Sequence, residues 1–344
     1  METVAQMWRQ LKSKFRKLMI RNGTLPGTSG FRSTYKKTML LSRLIMVVML
    51  TVPAVFGQEA PVTNPSAPSS EGVTLAGPRT SEDLSQAQIQ EMIRRVAEKD
   101  RENDKLQRDY TYVERVEEHK LNGKGEVGST ETRTYDVLQI YREQVRRLTS
   151  KDDKPLSAKD AAKEDEKIQK IIDKRKNESE GDREKRLKKE EKEREDDRRF
   201  VGEVADAYNF KLAGMETLDG RETYVIDADP RPGFEAKSRE AKILPKFKFR
   251  VWIDRVENQW VKLDAQCIDT VSVGLFLARI HKGSRIVIDT VRVNDEVWLP
   301  RRVDLRLDAK VALLKNYNLE EDITYANYKK FHSASRIVGM EEVK

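Results

Sequence analysis

The chain has 344 residues, 38% of them hydrophobic and 36% charged, and carries a formal charge of +8. Residues 1–57 hold ten Lys and Arg against Glu2 alone, which puts +9 on that stretch and leaves −1 on the rest. A body so close to neutrality lacks the electrostatic footprint of a nucleic-acid-binding domain, so no nucleic-acid partner is expected.

The chain opens on METVAQMWRQLKSKFRKLMIRNG, where Val4, Met7, Trp8, Leu11, Phe15, Leu18 and Met19 share one helical face opposite basic residues. Such a helix suits an anionic membrane surface; equally, translation starts at Met39 and these residues precede the natural product. Lys36, Lys37 and Arg43 then lead into an apolar run from Leu44 through Phe56, ending at Gly57, the layout of a secretory signal peptide. Cleavage there gives a periplasmic protein beginning near Gln58, whereas retention of the run gives a membrane-associated one. No cysteine follows the run, which excludes lipid attachment at that point. Residues 58–83, rich in Pro, Ser and Gly, read as a flexible linker.

The domain proper is expected over residues 84–335. Ser85 and Gln88 form a capping box, and Ile89, Met92, Ile93, Val96 and Ala97 recur at helical spacing, predicting an amphipathic helix over 84–103. RDYTYVERVEEHKL, the NGKG turn and TETRTYDVLQIYREQVRRLTS follow as an antiparallel hairpin. Residues 156–200 change character. Ser157 caps a run with Ile168, Ile171 and Ile172 as its main apolar marks, and a break at 178–181 separates two charged helices. Over residues 151–200 the charges nearly cancel, 18 basic against 17 acidic, so this insertion reads as a solvated polyampholyte; its seam is thin for a coiled coil.

Strands resume at FKLAGMETL and continue through RETYVIDADPRP, PKFKFRVWID, WVKLDAQCIDTVSV, SRIVIDTVRV, VWLPRRVDLRLDAKVAL and NLEEDITYANYKKF, about nine in all with the first hairpin. Cys267, the lone cysteine, reads as a small buried hydrophobe, so no disulfide supports the fold. No strand-helix-strand rhythm of a parallel sheet appears. The expected fold is α+β: a curved antiparallel β-sheet, an incomplete barrel, with helices against its concave face and a charged helical insertion.

YVIDADPRP, FRVWIDRVENQWVKLDAQ, RVNDEVWLPRRVDLRL and TYANYKKF resemble successive strands of the outer-membrane lipoprotein-sorting (LolA-like) superfamily, with Trp252 and Asp254 matching its Trp-x-Asp turn and Trp298, Leu299 and Pro300 its Trp-Leu-Pro strand start. The resemblance covers about residues 84–331. It implies a hydrophobic concavity that takes lipid or lipoprotein acyl chains. The insertion at 156–200 has no counterpart in the basic carrier, and no residue here is identified with the arginine that joins sheet to lid in the best-known members.

The residues themselves offer two readings of that concavity. In the strand from Val303, Val303, Leu305 and Leu307 share a greasy face that either seals a core or lines a cavity. TVSVGLFLARI gathers Val271, Val273, Leu275, Phe276 and Leu277, either a buried crossing or an apolar lip. With Trp252, Trp260 and Trp298, and with Val303 and Leu305, these form the candidate lipid-binding set. Catalysis is not expected. His119, His281 and His332 are far apart, so no metal is expected. Asp227, Asp229 and Asp264 fall on outward faces, and no nucleophile elbow, phosphate loop or dinucleotide fingerprint occurs, so no cofactor is expected. Two functions of different class follow: a periplasmic lipid or lipoprotein carrier or chaperone, or a non-enzymatic envelope scaffold or stress-sensor module that binds another protein.

Overall fold

In the computed structural model the described residues are 84–331, apart from Arg142, Arg239, 274–277 and 312–314. The expectations for residues 1–83 lie outside them. Helix α1 (Gln86–Gln107) starts at the predicted capping box: the Ser85 hydroxyl accepts from the Gln88 amide at 3.3 Å, and the Gln88 side chain accepts from the Ser85 N–H at 2.8 Å. Ile89, Met92, Ile93 and Val96 are buried as their spacing requires. The helix runs on past 103, and its last turns bury the polar Asp100, Asn103 and Asp104.

Strands β1 (Tyr110–Leu121) and β2 (Val127–Ile140) form the first hairpin, its turn held by the Asn122 carboxamide oxygen, which accepts from the Lys124 and Glu126 amides at 2.8 and 3.0 Å. The returning segment is two strands, not one. Tyr141, at φ 49°, reverses the chain into β3 (Glu143–Lys151), and a left-handed pair, Asp152 and Asp153, turns it again into the short β4 (Lys154–Pro155).

The charged region forms α2 (Ala158–Lys176) and α3 (Glu180–Ala207), capped by Ser157 and Ser179. Helix α2 buries no residue. Helix α3 continues beyond residue 200, and Phe200, Val204, Ala205 and Ala207 enter the main core. The insertion is therefore a helical hairpin whose second arm is rooted in the fold.

Strands β5 (Tyr208–Leu218) and β6 (Arg221–Pro230) meet at Asp219 and Gly220, both with positive φ, as a two-residue hairpin turn requires. A 3₁₀ helix (Glu240–Lys246) leads into β7 (Phe247–Asp254), then β8 (Trp260–Cys267), β9 (Val271–Val273), β10 (Ala278–Ile280), β11 (Arg285–Val293), β12 (Val297–Val311) and β13 (Lys315–Lys330). Among the described residues, thirteen strands belong to one antiparallel sheet, in the order β4-β3-β2-β1-β13-β12-β11-β8-β7-β6-β5, with β10 pairing β12 and β9. The excess over nine comes from the short pieces β4, β9 and β10 and from the division at Tyr141.

Pairing of β1 with β13 joins the first hairpin to the last strand, while β4 and β5 remain separate edges, so the barrel is open. Residues of β1, β5, β7, β8, β11, β12 and β13 all border one cavity, which shows how strongly the sheet curves. Asp289 lies opposite Arg302 and Thr290 opposite Pro300, so Arg301 is an extra residue in β12 and sharpens the bend there.

Candidate binding groove on the concave face

Alternation in the central strands directs Phe249 and Val251 of β7, Leu263 and Ala265 of β8, Ile286 and Ile288 of β11, and Val303, Leu305 and Leu307 of β12 towards the concave side. Ile93 and Val96 of α1 and Phe200 and Val204 of α3 cross above them. The two layers enclose a cavity of about 210 Å³. Leu305 and Val303 are half-buried because they face this space. The greasy face thus covers both a core, centred on Ile226, Ile253 and Ile288, and an unfilled groove.

Towards β1, β3 and β13 the wall becomes polar, with Tyr112, Glu114, Gln144, Glu321 and Tyr325. Glu114 is only 2% exposed and is held by Arg146, whose Nε donates to it at 3.1 Å while Nη2 donates to its other oxygen. The Arg146 guanidinium lies 5.3 Å from the Tyr135 ring centroid. Tyr112 stacks edge-on with Tyr325 at 5.7 Å and tilted against Tyr328 at 5.6 Å. Burial first, and then the Glu114 charge, push the phenols of Tyr112 and Tyr325 well above their ordinary pKa, so both remain neutral hydrogen-bonding groups. Gln144 is solvent-exposed and borders the cavity, which places the mouth at this polar end.

The helical roof is fastened by polar contacts from the C-terminal turns of α1. The Trp260 indole N–H donates to Asp100 Oδ1 at 2.7 Å, and the Gln259 amide reaches the same oxygen at 3.3 Å. Asn103 binds both backbone groups of Trp298, and Gln107 donates to the same carbonyl at 2.8 Å. These carboxamides and this carboxylate join sheet to helix where no arginine was identifiable.

Of the candidate set, Trp260, Val303 and Leu305 border the groove. Trp252 and Trp298 do not. They form a separate cluster with Val225 and Val261, because Trp252 sits between Val251 and Ile253, which both point into the main core. Their indoles donate to Glu216 (2.7 Å) and Glu257 (2.8 Å), and Lys262 and Arg221 cover the rings at 5.2 and 5.4 Å. Val271 is buried in a third cluster with Cys267, Ile280 and Leu319, beside the groove but not on its wall. Val273 lies in β9, and Leu275, Phe276 and Leu277 lie outside the described residues.

Phe200 and Val204, together with the polar wall, went unread in the sequence. Their i, i+4 spacing at the end of the charged run was the available signal. The Trp-x-Asp motif has a structural part. Asp254, 1% exposed, accepts from Arg221 Nε at 2.5 Å and from the backbone amides of Val256 and Glu257, which builds the β7–β8 turn.

Asp227 and Asp264 are paired on the exterior with Arg250 and Arg285. His281 contacts Asp308 at 3.1 Å and His119 contacts Thr130 at 2.8 Å. Among the described residues no three His, Cys, Asp or Glu gather as a metal site requires. None of the described helices is long and apolar enough to cross a membrane.

Fold and site together define a class: an open, curved antiparallel sheet whose concave face, roofed by two helices, bounds an apolar groove with a polar mouth. No family model and no curated protein sequence matches the chain. Among solved structures it is similar to a LolA superfamily protein from Nitrosomonas europaea, at 12% identity over 70% of this chain and 94% of that one, TM-score 0.29. It is also similar to a domain provisionally assigned as an outer-membrane lipoprotein-sorting protein from Vibrio parahaemolyticus, at 11% identity over 71% and 95%, TM-score 0.24. A third is MucB in complex with MucA(peri), at 10% identity over 69% and 100%, TM-score 0.19. These superpositions are loose, and the functional reading rests on the groove.

Proposed function

We propose that this protein is an exported, non-enzymatic carrier or chaperone that shields acyl chains, of lipid or lipoprotein, in the concave groove. The observation that carries the reading is the unfilled 210 Å³ bounded by Val251, Leu263, Ile286, Ile288, Val303 and Leu305. Protein interiors leave few voids larger than a water molecule. An apolar groove that opens to solvent leaves its wall side chains short of packing contacts, and each methylene buried against them gains about 0.8 kcal/mol. A ligand chain that fills it restores those contacts. The signal-like segment ending at Gly57 supports delivery to the periplasm, with a mature terminus near Gln58.

Native mass spectrometry of the exported protein, followed by solvent extraction, tests the reading. A co-purifying acyl compound is the expected result. An interior that never takes up lipid, in a protein that instead holds a protein partner tightly, would refute it.

That second outcome corresponds to an envelope scaffold, and α2 favours it, since a 19-residue helix with no buried residue leaves the face turned away from β3 open to a partner.

A further inference from the structure

We infer that the groove is shaped for a single acyl chain bearing an uncharged polar head, not for a diacyl or triacyl lipid. This rests on the acyl-binding reading above and narrows it. Volume is the first ground. The cavity's 210 Å³ falls below the ~300–1,000 Å³ of typical small-molecule pockets. A cavity so small suits the inner part of one chain. A second chain doubles the requirement.

Polarity within the same groove is the second ground. Its interior is apolar at Ile288 and Leu305, and its mouth carries Tyr112 and Gln144, so chain and head have separate, adjacent places.

Charge is the third. Arg146, behind the polar wall, spends Nε and Nη2 on the buried Glu114, and Arg285, whose backbone borders the cavity, turns its guanidinium to the exterior and pairs it with Asp264. A carboxylate or phosphate head at the mouth therefore meets no uncommitted guanidinium and lies beside the Glu114 carboxylate, an arrangement that disfavours a further negative charge. Hydroxyl and ester groups instead find the Tyr112 phenol and the Gln144 carboxamide, which both donate and accept.

Displacement of the apolar dye N-phenyl-1-naphthylamine from delipidated protein at pH 8 tests this, with probes kept below their micelle concentrations. 1-Monodecanoylglycerol should displace the dye, while didecanoylglycerol and ionised decanoate should do so at least about tenfold more weakly. Gln144→Met should weaken monodecanoylglycerol several-fold, since a polar head then faces a thioether. Equal displacement by didecanoylglycerol, tighter displacement by decanoate, or bound dye that monodecanoylglycerol leaves in place would each overturn the inference while leaving the groove reading intact. Dye that never binds overturns both.

Discussion

Asn103 of α1 grips the backbone of Trp298 in β12 from both sides: its amide donates to the Trp298 carbonyl at 2.8 Å and its Oδ1 accepts from the Trp298 N–H at 2.7 Å. A side chain thus mimics a strand partner and ties the roof of the groove to its floor. Replacing Asn103 by Ala removes both bonds and strands a buried N–H, at a cost of about 1–3 kcal/mol. Hydrogen exchange should show α1 opening more often while β1 and β13 stay protected; unchanged α1 protection would show that the apolar stripe alone holds the helix.

Leu305 separates a groove from a sealed core. Because Leu305 borders the cavity and is half-buried, Leu305→Glu should abolish lipid uptake. The carboxylate stays hydrated, so the loss of stability should fall well short of the ~3–5 kcal/mol that an uncompensated buried charge exacts. Asp304→Leu, on the exterior beside Arg302, should spare both properties. Chemical denaturation with a lipid-binding assay reads both; a grossly unfolded Leu305→Glu protein would show a filled interior.

The helical hairpin should divide sharply between its two ends. Leu187 is 47% exposed and Phe200 only 7%. Leu187→Ala should shift stability by less than about 0.5 kcal/mol, as surface substitutions do. Phe200→Ala removes a core and groove wall and should cost about 3–5 kcal/mol. Deletion of residues 158–199 with the ends bridged should leave the sheet folded, since α2 is docked on β3 through ion pairs such as Arg147 with Asp165 and Arg175 with Glu143. Loss of cooperative unfolding in the deletion would place a core element there.

Asp254 should govern part of the acid limb of stability. Burial pushes its pKa up, but the Arg221 guanidinium and the Glu257 and Val256 amides outweigh that and hold it below the ordinary carboxylate value. A depressed folded-state pKa contributes stability that is fully present above the unfolded value, about 3.9, and is lost as pH falls through the folded one. Asp254→Asn should therefore lower stability at pH 7 and flatten its decline below about pH 4. A variant with an unchanged acid slope in pH-dependent denaturation would assign that limb to other carboxylates.

Local rules account for what the sequence by itself determined. The capping box at Ser85 and Gln88, the period of two in β12 and the positive-φ turn at Asp219 and Gly220 each depend on neighbours a few residues away, and so the α+β, antiparallel character of the fold was legible. The same period of two put Val303 and Leu305 on one face of β12, but left open whether that face lines a cavity or fills a core. Only the tertiary structure decided that Trp252 and Trp298 lie on the other side of the sheet and that the end of a charged helix supplies Phe200 and Val204 as groove wall. It also decided that Glu114 and Arg146, 32 residues apart, pair at the polar end. Alternation says which residues share a face, but not which face curves inward; that is set by twist, by the extra residue Arg301 in β12 and by the helices that cross the sheet, all sums over distant contacts.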